Sequence, residues 1–187
     1  MACLFQPESP SEAFLGQPSL FGYINGDGRL RATNCGLAAA ATLLTHQGIM
    51  QPVDNSDGNN ANMQKLEAEF PPNILFGLAG TSRGRVERIL DAYGLEALEV
   101  DGEAALKEQL AHHEPVAVML QVPGQQLLGM TMPAGHWMVA YAFDSEKVYL
   151  TNWCDDGMSW DTFREGWSGV IPWCINMNRK GLCVRKW

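Results

Sequence analysis

The chain has 187 residues, a formal net charge of −8, and 46% hydrophobic against 18% charged residues. That much apolar material fills a real core, in one domain or in two small lobes sharing one core, and it excludes extended disorder. The 13 lysines and arginines are scattered and form no basic patch, which argues against a nucleic-acid partner. The apolar runs fall far short of the ~20 residues that span a bilayer, so no membrane partner is expected.

The opening segment, MACLFQPESPSEAF, lacks the basic and apolar regions of a signal peptide, which points to the cytoplasm rather than to secretion. Residues 1–32 are rich in Pro, Gly, Ser and Asn without a sustained period, the pattern of an irregular arm. Thr33 or Asn34 is then placed to cap a helix carried by the run Leu37 to Leu44, with Gly48 as its stop. Four consecutive alanines, Ala38 to Ala41, make that helix slim. A polar loop at 51–60 leads to a short helix marked by Met63, Leu66 and Phe70. Val86, Ile89, Leu90 and Tyr93 form the apolar stripe of a better one, stopped by Gly94. A further helix runs from about Asp101 to His112 and is closed by Pro115.

From Val116 the period changes. VAVMLQV, HWMVAYAF and KVYLTNW read as strands, and GVIPWCINM as a fourth that Pro172 pushes towards an edge. Helices first and strands afterwards predict an α+β fold. The expected organisation is a single domain with a helical part at about 33–115, a sheet part at about 116–187 and the arm at 1–32.

Five cysteines, Cys3, Cys35, Cys154, Cys174 and Cys183, leave at least one thiol free. No CxxC and no zinc-finger spacing occur, so neither a metal site nor a cofactor is expected. A disulfide among Cys3, Cys154, Cys174 and Cys183 stays open, with buried apolar thiols the simpler reading of the last three. Cys35 falls at the start of the alanine-rich helix, where free N–H groups and the helix dipole favour a thiolate, the nucleophilic form. Gly36 removes a side chain that would crowd an incoming carbonyl. A lone cysteine at such a place is more simply a small buried hydrophobe, and the rest of the chain decides against that.

His46, His112 and His113 end helices and read as solvated termini. His136 opens a strand after Gly135 and shares a face with Met138, Ala140 and Ala142. Those small residues leave room for the slim helix to pack there, bringing Cys35 beside His136. A base so placed needs a third group to hold its ring. Asn152, on the next strand, takes the His136 face if paired residue numbers sum to an even value. With an odd sum, Asp155 falls opposite His136 instead. Of the six tryptophans, most read as core, with Trp153 placed to shield the third group's hydrogen bond.

Five segments resemble the papain-like cysteine peptidase clan, and the C39-like peptidases in particular. TNCGLAAAATLL (33–44) is similar to their nucleophile segment, and GTSRGRVERILDAYGL (80–95) to a helix that follows it. EAALKEQLAHHEPVAVML (103–120) resembles their helix leading into the first sheet strand. GHWMVAYAF (135–143) resembles their histidine strand, and MSWDTFREGW (158–167) a closing helix. The resemblance implies a papain-like fold, with Cys35 as nucleophile, His136 as base and Asn152 as the third member. The family usually carries an oxyanion-donating glutamine about six residues before the cysteine, and here Arg29 stands there. Losing one such donor costs roughly 10²–10³ in rate. Gln17, Asn25, Asn34 or Arg29 itself are the candidates to replace it. The implied activity is cleavage of a peptide or small amide through a thioacyl-enzyme. Acyl transfer is the first alternative, because phytochelatin synthases, which transfer γ-glutamyl groups, carry a comparable Cys-Gly-Leu-Ala segment. A non-catalytic C39-like binding module is the second.

Overall fold

The structure is a computed structural model and describes residues 4–6, 14–17, 19–24, 34–53, 60–71, 81–122, 126–127, 130–131, 134–153, 157–171, 175–176 and 178–186. Three short strands come first: β1 (Leu4–Phe5), β2 (Leu15–Gly16) and β3 (Leu20–Phe21). Helices α1 (Cys35–His46), α2 (Ala61–Glu69) and α3 (Arg83–Ala92) follow. Then come β4 (Leu95–Asp101), α4 (Gly102–Ala111), β5 (Val116–Val122), β6 (Gln126–Leu127) and β7 (Met130–Thr131). The last third holds β8 (Ala134–Phe143), β9 (Lys147–Leu150), β10 (Met158–Ser159) and α5 (Trp160–Trp167). It ends with β11 (Val170–Ile171), β12 (Ile175–Asn176) and β13 (Lys180–Lys186). The expected α+β class holds. No helix among the described residues is long and apolar enough to cross a membrane.

The main sheet runs β10-β9-β8-β5-β13-β4, with β2 paired onto the far end of β8. Its neighbours are antiparallel, and alternation sorts their side chains into two cores. Ala117, Met119, Trp137, Val139, Tyr141, Leu182 and Val184 pack under α1, α2 and α3. Val116, Val118, Leu120, Met138, Ala140 and Cys183 pack under α4 and α5, against Leu106, Leu110, Phe163 and Trp167. Helices therefore cover both faces. The slim helix α1 buries Leu37 through Leu44 completely on the first face.

Three expectations need correction. β4 and β13 were not foreseen as strands, yet they pair along seven positions, from Lys180 opposite Asp101 to Lys186 opposite Leu95. Their acids and bases hide the pattern, because they pair across strands, as Arg185 does with Glu96 and Lys180 with Glu99. The segment read as one fourth strand holds instead the two short strands β11 and β12, paired with each other. Pro172 lies outside the described residues. Finally, α1 does not pack on the face of Met138 and Ala140. It packs on the opposite one, with Trp137 and Val139.

Candidate functional site

Helix α1 begins at Cys35, with Asn34 in the N-cap position. The side chain of Asn34 makes no capping bond; its amide nitrogen donates 2.9 Å to Oε1 of Glu67 on α2. No acid sits in the first turn of α1 either. The first N–H groups of the helix, left over in every helix unless capped, are thus not used by Asn34. Those of Cys35 and Gly36 reach the Cys35 thiol, and so does the backbone N–H of Trp137 on β8. Cys35 is 5% exposed. Gly36 is needed for a reason other than substrate access, since a Cβ there would stand 2.5 Å from Cβ of Thr81. Thr81 is held in turn by its carbonyl, which accepts from the Trp137 indole at 2.7 Å.

Trp137 can offer its backbone N–H because β8 is only half covered on that edge. β9 pairs with β8 from Phe143 opposite Val148 as far as Ala140 opposite Leu150. Beyond Leu150, Thr151 closes the pairing. Its N–H donates to Val139 O at 2.9 Å and its hydroxyl accepts the Val139 N–H at 3.2 Å. From Ala134 to Met138 no strand lies on that edge among the described residues. His136 leaves β8 on the face of its partner Leu120, opposite the α1 core. Cys35 thus belongs to the core under α1, whereas His136 leaves β8 on the other face, where that edge of the strand is open.

Register parity at this place has two parts. Next to the turn, Phe143 opposes Val148 and Ala142 opposes Tyr149, an odd sum. A bulge then shifts the register so that Ala140 opposes Leu150, an even sum. The bulge brings the chain back to the parity that favours Asn152. The ring of His136 does meet Asn152: its Nε2 lies 3.3 Å from the main-chain carbonyl oxygen of that residue. Asn152 adopts a left-handed conformation, φ 60°.

Burial sets the protonation states. It pushes the Cys35 thiol above its ordinary value, outweighing the N–H groups of Trp137, Gly36 and Cys35 that act the other way. The expected thiolate is therefore not the resting form. Burial likewise pushes His136 below the ordinary histidine value, against the opposing pull of the Asn152 carbonyl. At neutral pH the pair rests as a thiol and a neutral imidazole.

No family model and no curated protein matches the chain. Several solved structures match, among them two that cover most of its length. A structure described as that of a C39-like peptidase from Bacillus anthracis superposes with a TM-score of 0.59 at 15% identity, covering 88% of this chain and 94% of that one. The peptidase domain of Streptococcus ComA, a bifunctional ABC transporter involved in quorum sensing, gives 0.54 at 14% identity, with 89% and 98% covered. The fold is papain-like, of the C39-like peptidase type.

Within this papain-like frame, two oxyanion candidates are committed elsewhere. Gln17 donates from Nε2 to the His113 carbonyl at 2.9 Å, and its N–H donates to Tyr141 O at 2.9 Å. Tyr141 lies five residues along β8 from His136, on the order of 16 Å away. The amide donor of Asn34 is taken by Glu67, and its Oδ1 is buried without a partner among the described residues. Asn25, Arg29 and Asp155 lie outside the described residues, as do Cys3, Cys154, Cys174, Trp173 and Trp187. Cys183 is a free buried thiol. Trp160 and Trp167 are core, whereas Trp153 is 36% exposed beside Asn152. Sequence reasoning missed Thr81 and Thr151. Gly36 was the one signal for Thr81, since a glycine in the first turn of a buried helix marks a close neighbour.

Proposed function

We propose that the protein is a thiol hydrolase that cleaves a peptide or small amide through a thioacyl intermediate on Cys35. The observation that carries this reading is the Cys35 thiol on the N–H of Trp137, one residue from a His136 whose ring is held by Asn152. Since thiol and imidazole both rest neutral, His136 acts as a general base during attack. It takes the thiol proton as sulfur adds to the carbonyl, then returns it to the departing amine. Water, deprotonated by the same ring, releases the acid. The N–H of Cys35 at the start of α1 is the oxyanion donor that does not depend on any side chain.

The test is turnover of a panel of peptide-amide substrates. Cys35→Ala should abolish release of amine, and His136→Ala should lower kcat/KM by about 10²–10⁴. Neutral His136 is the active form and its pKa is depressed, so the acid limb of the rate should lie below about pH 6.5. One observation favours a second reading, a binding module without chemistry: Cys35 is nearly inaccessible and its thiol is raised. Iodoacetamide separates the two. Alkylation of Cys35 that is slow and indifferent to His136→Ala, with no turnover across the panel, would favour the binding module.

A further inference from the structure

The contact at His136 is made by a peptide carbonyl, and a carbonyl oxygen only accepts. The Nε2 atom facing it at 3.3 Å therefore carries the ring proton, which leaves the lone pair on Nδ1. What aims that carbonyl is the way β9 ends. Thr151 is still tied to Val139 through its N–H and its hydroxyl. The following residue then turns left-handed, with φ 60° at Asn152, and this rotates its peptide plane out of the strand. Side chains with a Cβ adopt that conformation at a cost, glycine without one, and asparagine and aspartate more readily than other residues.

Taking Cys35 and His136 as the reacting pair, we infer that the main-chain carbonyl of Asn152 orients the His136 ring, and that position 152 serves this through its left-handed backbone conformation. Asn152 is then a positioning residue, replaceable by any residue that keeps the left-handed turn. The bulge at Tyr141 and the Thr151 hydroxyl share the task, since together they decide which peptide of the chain faces the ring.

The experiment is a substitution series at position 152 in the full chain: Asn152→Gly, Asn152→Asp, Asn152→Ala and Asn152→Val, with Asp155→Ala beside it. Two readouts are taken. Nitrogen NMR of the histidine ring reports its tautomer, whether or not the protein turns over a substrate. The rate of Cys35 alkylation, or of turnover, reports the pair. The expected tautomer is Nε2–H in the wild type and in Asn152→Gly. Reactivity should stay within about threefold for Gly and Asp, fall about tenfold for Ala and fall further for Val, following left-handed preference. An Nδ1–H tautomer in the wild type would overturn the inference. So would a Gly variant as impaired as Ala beside an unimpaired Asp, because that pattern belongs to a side-chain hydrogen bond. Loss of the Nε2–H tautomer in Asp155→Ala alone would assign the ring to Asp155 instead. Should Val fail to fold, the Gly and Ala pair still decides. A wild type whose Cys35 ignores His136 would sink the hydrolase reading alone, with the tautomer still judging Asn152.

Discussion

A methyl group added at position 36 would stand 2.5 Å from Cβ of Thr81 and 2.8 Å from its Cγ2, closer than real Cβ atoms come. The clash cannot relax cheaply. Thr81 is buried, and its carbonyl is pinned by the Trp137 indole. Trp137 also supplies the N–H that meets Cys35. Moving Thr81 therefore disturbs the strand beside Cys35. Overpacking of this kind costs about 1–3 kcal/mol, and at this chain length each kcal/mol moves Tm by about 2–4 °C. Gly36→Ala is expected to lower Tm by several degrees in calorimetry and to slow alkylation of Cys35. An unchanged Tm would mean that Thr81 has somewhere to go. At this scale the sequence was readable where the signal is local, as at Cys35, which does open α1, and at His136, which does lie near the start of β8. It was unreadable where the role is set by a neighbour distant in the chain. Nothing in the letters around Thr81 says that it fills the gap beside Gly36. The helix start at Cys35 suggested a depressed thiol, and the burial that reverses this is a property of the packed molecule.

Between elements, the firmest polar junction described lies away from the candidate site. Glu103 at the start of α4 receives Arg164 of α5 on both oxygens, at 2.8 and 3.0 Å, and Lys107 at 2.7 Å. Lys107 also lies 4.3 Å from the centre of the Trp160 ring. The Arg164 hydrogen bonds, then Lys107, hold the Glu103 carboxyl at about 2, against a desolvation that acts the other way. The pKa is depressed in the folded chain, so the stabilisation is present above the unfolded value near 4.5 and is lost as pH falls towards 2. Partly exposed networks of this sort contribute about 1 kcal/mol. Glu103→Gln should therefore lower Tm at pH 6 and leave it nearly unchanged near pH 2, as followed by thermal melts across that range. A difference that persists at pH 2 would point to packing rather than charge. Helices of this kind were legible because the apolar period and the glycine stops are local: α1, α3 and α4 stand close to where Leu37–Leu44, Val86–Tyr93 and Leu106–Leu110 put them. The bulge in β8 was not legible. It depends on how β9 closes against β8, and it alone restores the parity that brings Asn152 to His136.

At the scale of the molecule, the sheet depends on a strand from the far end of the chain. β13 lies between β5 and β4, with Leu182 and Val184 in the core under α1 and Cys183 in the core under α5. Its pairing with β4 joins segments about 85 residues apart, which no local pattern announces, and this explains why both strands escaped a reading by periodicity. Gly181 shows how close the fit is, since a Cβ there would stand 2.6 Å from a methyl of Val116 on β5. A chain ending at residue 179 would leave the facing edges of β4 and β5 unpaired and open both cores at once. Net stabilities are about 5–15 kcal/mol, and losing a strand with three buried side chains is comparable with that margin on apolar burial and edge pairing together. Such a truncation is expected to lose near-UV circular dichroism and cooperative unfolding. A synthetic peptide spanning residues 180–187, added in excess, should restore them in part, because its contribution is backbone pairing and three apolar side chains. A truncated chain that still unfolds cooperatively without the peptide would show that β4 can be dispensed with, and that the sheet carrying the candidate site ends at β5.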